Sequence, residues 1–334
     1  MNIYDVSEKA GVSIATVSRV LNGNPNVSEK TREKVLSVME ELGYTPNVFA
    51  RGLGLNTMHS VGIMCSDSSD AFLANAVYYI EQELRKNGYD AFLCCTGYEL
   101  KDKKNDMALL LSKRVDAIIM VGSHYIEASG KDHDYILSAA EQIPILMING
   151  YLNHPNIYCT LCDDYQAIFD AVGILAARGR KNPLFLYRSD STSSKAKLKG
   201  FTEGAEAAGM NLSSDSVLLC SSDISVTKEK LLSRFKDDFP FDCVFAAEDC
   251  LAVGALKFLN TCNYKVPSKV EVVGYNNSEI CICTEPELST IDNHVEALSI
   301  TTVLTLMRVL QGADVPNKTT ISTDFINRGT TQCK

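Results

Sequence analysis

The sequence predicts an N-terminal all-α helix-turn-helix domain followed by an α/β core of two doubly wound parallel-sheet subdomains. Three observations carry that expectation. The first 45 residues hold three short apolar-periodic stretches, with a glycine between the first two. From His59 onward, apolar β-rich runs alternate with helical stretches in two successive series. The length, 334 residues, exceeds what a single hydrophobic core normally fills.

The elements follow in order. In "IYDVSEKA", Ile3, Val6 and Ala10 fall at helical spacing and Gly11 suits a C-cap. Ser13 fits the N-cap of a second helix that ends near "NGNP". Ser28 fits the N-cap of a third, with Val35, Val38, Met39 and Leu42 as its apolar stripe before "GYTP". "PNVFARGLGLNTM", opening on proline and carrying two glycines, reads as a connector of weak helical tendency. The β/α rhythm then runs through "SVGIMCS", "DAFLCCT", "VDAIIMVG" and "IPILMING" with helices between. A second series has "PLFLYRS", "DSVLLCS", "DCVFAAED" and "VEVVGYNN" as strands. "HVEALSITTVLTLMRVLQG" is a late helix and "TTISTDFINRGT" a final strand region. The expected boundaries are 1–46 for the helical domain, 47–58 for a hinge, 59–161 plus 291–320 for one subdomain, and 162–290 plus 321–334 for the other. Ligands of such sheets bind beyond the carboxyl ends of the strands.

Composition excludes several classes. No apolar run approaches the roughly 18 residues of a membrane span, and "MNIYDVSEKA" lacks the layout of a secretory signal, so a cytoplasmic protein is expected. The twelve cysteines are scattered, several in apolar runs; "CTLC" has C-x-x-C spacing without a second pair. They read as reduced structural thiols, with no metal and no cofactor. His124, His133, His154 and His294 read as surface histidines, and the short charge runs "DKK" and "RGRK" as solvated. No G-x-S-x-G, H-E-x-x-H or G-x-x-x-x-G-K-[ST] stands in the chain, so no enzymatic constellation is expected. The net charge is −9, yet the first 60 residues balance six basic against six acidic side chains. That segment is the least repulsive to a polyanion.

On a helix of about 100° per residue, Val17, Val20 and Leu21 share one arc with Val12 beside it, and Ile14, Ala15, Ser18, Arg19 and Asn22 share the opposite one. The second arc suits a major groove: arginine reaches guanine O6 and N7, and Ile and Ala touch thymine methyls.

The opening "IYDVSEKAGVSIATVSRVLNGNPNVSEKTREKVLSVMEELGYTPNVFAR" resembles the first domain of the lactose-repressor (LacI/GalR) family of bacterial transcription regulators. "DDYQAIFDAVGILAARG", "KLKGF", "AAEDCLAVGAL", "VEVVGYNN", "PELSTI" and "NRGT" are looser matches in the same order. The resemblance implies a periplasmic-binding-protein-like core and a sequence-specific DNA-binding repressor that acts as a homodimer on palindromic operator DNA. The core would bind a small effector: a sugar, nucleoside or related polar metabolite. No leucine heptad lies near Asn327–Lys334, so a dimer is expected rather than a coiled-coil tetramer. By the same resemblance the DNA-binding residues are Ser13, Ile14, Ala15, Thr16, Ser18, Arg19, Asn22, Asn47, Ala50, Arg51 and Leu53. Ile14, Ala15 and Arg19 would read bases, and Leu53 would wedge into the minor groove. Gly52 and Gly54 flank that leucine and weaken a hinge helix by about 0.5–1 kcal/mol each.

The effector-binding positions implied are Phe72, Leu73, Ser123, Asn149, Ser193, Lys197, Asp223 and Asn276. Two depart from the family pattern. Lys197 stands where an arginine fork is usual, and Asn276 where a carboxylate is usual, so the polar preference of the pocket differs. The competing reading is a solute-binding protein of a transport system, which shares the cleft fold. The helix-turn-helix argues against it.

Overall fold

The computed structural model describes residues 2–21, 24–44, 57–126 and 130–332. Helix α1 (Ile3–Ala10) starts at a capping box: Asn2 Oδ1 accepts from the amides of Tyr4 and Asp5, and the Asp5 carboxylate accepts from the Asn2 amide. It stops at Gly11, whose φ of +63° an L side chain seldom adopts. Ser13 Oγ then accepts from the Thr16 amide at the head of α2 (Ile14–Leu21). Ser28 does the same for Thr31 at the head of α3 (Glu29–Leu42). Val6, Ala10, Val17, Val20, Val35 and Met39 form the core of this domain, flanked by Val12, Leu21, Val38 and Leu42. A core of this size supplies only a few kcal/mol of stability.

The rest is two six-stranded sheets. The first contains β1 (Ser60–Cys65), β2 (Asp90–Cys95), β3 (Ala117–Val121), β4 (Ile145–Ile148), β5 (Ile157–Cys162) and β11 (Lys318–Ile321), in the order β11-β5-β4-β3-β1-β2, all parallel. The second contains β6 (Pro183–Tyr187), β7 (Val217–Leu219), β8 (Cys243–Ala246), β9 (Glu271–Tyr275), β10 (Ser289–Asp292) and β12 (Asp324–Ile326), in the order β12-β10-β9-β8-β6-β7. Only the β10–β12 pair is antiparallel. Central strands such as β1, β3 and β4 are buried on both faces, which is why they read as unbroken apolar runs rather than alternating ones.

Helices cover both faces of each sheet. α4 (Ala71–Lys86) and α11 (Val295–Leu310) share the core on one face of the first sheet. α5 (Leu100–Ser112) and α6 (Asp134–Ala140) cover the other. On the second sheet α7 (Asp164–Ala177) packs with α8 (Thr192–Ala207). α9 (Ile224–Phe235) packs with α10 (Asp249–Thr261) on its opposite face. The α7–α8 contact is so close that a Cβ on Gly200 would lie 2.3 Å from the Tyr165 carbonyl oxygen.

The chain passes between sheets three times: after β5 into α7, after β10 into α11, and between β11 and β12. β5 and β10 are not among the expected strands. Their runs, "IYCTLC" and "STID", mix polar and apolar residues, and one partner of each, β11 or β12, stands far away in sequence.

Two expectations about charge are corrected. "RGRK" is not a solvated run, because Arg178 and Arg180 both pair with the fully buried Glu271 of β9. Within "DKK", Lys103 is buried and donates to the His124 carbonyl at 2.6 Å. In each case a buried acceptor draws the cation inward.

Candidate functional site

The first candidate site is the outer face of α2. Val17 and Val20 are buried in the three-helix core, whereas Ser13, Ile14, Ala15 and Arg19 are exposed and Thr16 and Ser18 half-exposed. Ile14 leaves 38% of its surface in solvent. Ser13 also has a local task, since its hydroxyl pairs with that of Thr16 at 2.9 Å. Asn22, Asn47, Ala50, Arg51 and Leu53 lie outside the described residues.

The second is the cleft between the two sheets, at the carboxyl ends of their strands. Seven of the expected positions line a single cavity there: Phe72 and Leu73 from α4, Ser123 after β3, Asn149 after β4, Ser193 and Lys197 from α8, and Asn276 after β9. The backbone explains two of them. Asn149 sits at φ +57° and Asn276 at φ +105°, left-handed conformations that asparagine adopts more readily than most residues. Their amides also bind the crossovers. Asn149 Oδ1 accepts from the Cys162 amide at 2.9 Å, and Asn276 Oδ1 accepts from Asn293 Nδ2 at 2.8 Å. The floor of the cleft is therefore tied to the segments about which the subdomains would turn.

Two expected positions behave differently. Lys197 borders the cavity, but its ammonium points into the second subdomain. It donates to the Ala247 carbonyl at 3.1 Å, lies 3.6 Å from the Tyr275 ring centroid and 3.9 Å from Asp164 Oδ1. Asp164 in turn accepts from the Tyr275 hydroxyl at 2.5 Å. Asp223 lies outside this cavity, beside an adjoining larger opening; its Oδ1 caps α9 by accepting from the Ser225 and Val226 amides.

Several cleft residues escaped the sequence reading: Asp70, Arg188, Glu248 and Asn293. Each follows a strand or opens a helix at the carboxyl edge of a sheet, which was the available signal. Arg188 Nη2 donates to Asp70 Oδ2 and its Nε to Glu248 Oε1, both at 2.5 Å. Burial acts to lower the guanidinium pKa, but Glu248 and Asp70 outweigh it and raise it, so Arg188 stays charged. Asn293 is 2% exposed, and its Oδ1 has no hydrogen-bond partner among the described residues. His124 also lines the cavity and His133 is buried, so neither is the surface histidine expected. Behind the cleft Asp249 accepts from the Ser278 amide and hydroxyl and from Thr290, which holds the loop carrying Asn276. Burial raises its carboxyl pKa although those bonds pull it down.

The described residues contain no group of three or more His, Cys, Asp or Glu placed to hold a metal, and no helix long and apolar enough to cross a membrane. Cys159 and Cys162 lie on β5, where Cys162 Sγ donates to the Asn293 carbonyl; burial pushes both thiols up.

Two family models match the chain. Residues 2–47 match bacterial regulatory proteins of the lacI family, and residues 58–329 match periplasmic binding proteins and the sugar binding domain of the LacI family. An HTH-type transcriptional regulator of Lachnoclostridium phytofermentans is 61% identical over 331 residues, which is 99% of each chain. The HTH-type transcriptional regulator DegA of Bacillus subtilis is 30% identical over 302 residues, 89% of this chain and 87% of that one. Among solved structures, the lac repressor dimer bound to operator and the anti-inducer ONPF matches with a TM-score of 0.90. At 24% identity, over 100% of this chain and 99% of that one, it establishes the shared fold.

Proposed function

The chain belongs to the LacI family of bacterial regulatory proteins, and from that premise we propose that it represses transcription as a homodimer on a palindromic operator, under the control of a small polar effector in its cleft. The observation that carries the DNA half is the division of α2. Its valines are consumed by the domain core, which leaves Ile14, Ala15 and Arg19 presented together on the outer side. Phosphate contacts would set register, and these three would supply discrimination at base edges. Two such helices related by a two-fold axis read half-sites one helical turn apart. The charge balance of the first 60 residues means that one copy alone binds weakly.

The effector half is supported by the cleft. Serine hydroxyls, the amides of Asn149, Asn276 and Asn293, and the charges of Arg188, Asp70 and Glu248 form a polar wall beside Phe72. With Lys197 turned inward, Arg188 is the cation offered to a ligand. Closure of the subdomains around an effector would shift the two hinges relative to each other and change operator affinity, a coupling of typically 1–3 kcal/mol. The test pairs operator selection from random DNA with a thermal-shift screen of sugars, nucleosides and small acids. A hit must also move the gel-shift titration; hits that leave DNA affinity unchanged refute the control mechanism, and absence of any selected palindrome refutes the DNA reading.

A further inference from the structure

The cavity around the expected effector residues measures ≈ 60 Å³, far below the roughly 300–1,000 Å³ of typical small-molecule sites. A three-membered charge chain lines it. Asp70 belongs to the first subdomain, at the N-cap of α4; Arg188 follows β6 and Glu248 precedes α10, both in the second. The three side chains are only 14–17% exposed. We propose that the Arg188–Asp70 bond latches the two subdomains together across the cleft, so that an effector reaches the small cavity only after that bond opens.

Three features make the bond a latch rather than an incidental pair. Its ends are rigid. Asp70 Oδ1 is held by the Leu73 amide at 3.0 Å, and Arg188 is anchored on its own side by Glu248. The bond therefore joins two folded bodies and not two loose loops. It also spans the two subdomains directly, at the same cavity where the Asn149–Cys162 and Asn276–Asn293 bonds tie the crossovers, so separating the subdomains there must break it. Finally, Arg188 faces an acidic opening of ≈ 540 Å³ bordered by Asp67, Asp70, Asp223 and Glu248 from both subdomains. Without the guanidinium these carboxylates repel one another across the cleft. A charge-assisted bond of this geometry contributes on the order of tenfold or more to the closed population.

The test is hydrogen–deuterium exchange of the full-length, ligand-free protein. Asp70→Asn removes the charge while leaving an excellent N-cap for α4, and Arg188→Gln removes the other partner. Asp67→Asn makes the same charge change in the same loop, without a hydrogen bond to Arg188. Exchange in the cleft-lining segments around residues 122–126 and 188–194 should rise about tenfold in the first two variants and stay at the wild-type level in the third. Unchanged exchange in Asp70→Asn overturns the latch. So does a rise spread over the whole chain with a lowered melting temperature, since the pair would then stabilise the fold and not the closure. No effector enters the experiment, so its failure leaves the proposed repressor function standing.

Discussion

Replacing Lys197 with methionine tests whether this residue binds ligand or holds the subdomain together. Methionine keeps most of the lysine stem and removes the ammonium. That ammonium has three partners: the Ala247 carbonyl at 3.1 Å, the Tyr275 ring at 3.6 Å and Asp164 at 3.9 Å. A desolvated cation–π contact contributes about 2 kcal/mol and a hydrogen bond from a charged donor about 1.5–3 kcal/mol. The variant also avoids burying a charge, which offsets part of the loss. What remains is Asp164, 8% exposed at its side chain and left with the Tyr275 hydroxyl as its bonded neighbour. Removing one member of a buried pair costs about 3–5 kcal/mol; because the 3.9 Å separation is loose, the lower end applies, about 3 kcal/mol. At about 2–4 °C per kcal/mol, the calorimetric transition of the second subdomain should fall by about 6–12 °C. The double variant Lys197→Met with Asp164→Asn should recover a good part of that loss, since no lone carboxylate is left buried. The reasoning is refuted if Lys197→Met melts with the wild type while affinity for a cleft ligand drops tenfold or more.

In selection experiments on random operators, Arg19→Ala should lose about 1–3 kcal/mol of affinity and relax preference at one base pair per half-site; an unaltered selected sequence excludes base reading by Arg19. Gly200→Ala should destabilise by about 1–3 kcal/mol in chemical denaturation, because its Cβ meets the Tyr165 carbonyl. Gly173→Ala, mid-helix in α7 with nothing within 4 Å of the new Cβ, should be neutral or stabilising by up to about 1 kcal/mol. Asp249 has a raised carboxyl pKa in the fold, so its titration contributes stability below the unfolded value and loses it as pH rises through the folded one. The wild type should therefore gain stability relative to Asp249→Asn as pH falls from 7 toward the ordinary carboxylate value of 3.8, measured by urea unfolding; a relative loss contradicts the assignment.

The helical domain was legible almost to the residue. Gly11, Ser13 and Ser28 act locally, through a left-handed turn and side-chain caps, so their roles need no knowledge of the rest of the chain. The outward arc of α2 was legible for the same reason, as periodicity alone divides Val17 and Val20 from Ile14, Ala15 and Arg19. Strands β5 and β10 were not legible, because their runs mix polar and apolar residues and each is flanked on one side by a partner, β11 or β12, distant in sequence. The two charge runs were misread because Glu271 and the His124 carbonyl, which draw Arg178, Arg180 and Lys103 inward, lie far from them along the chain.

The sequence by itself determined the class of molecule, the order of its domains and the face of α2 that is left exposed, since caps, periodicity and motif spacing are short-range properties. Only the tertiary structure decided what the cleft residues do. It turned Lys197 into the second subdomain, set Asp223 to capping a helix, and brought Asp70, Arg188, Glu248 and Asn293 together at one cavity. A side chain's role in a cleft depends on which partners the fold delivers within hydrogen-bond distance, as when Asp70 and Arg188 meet across 118 residues of sequence.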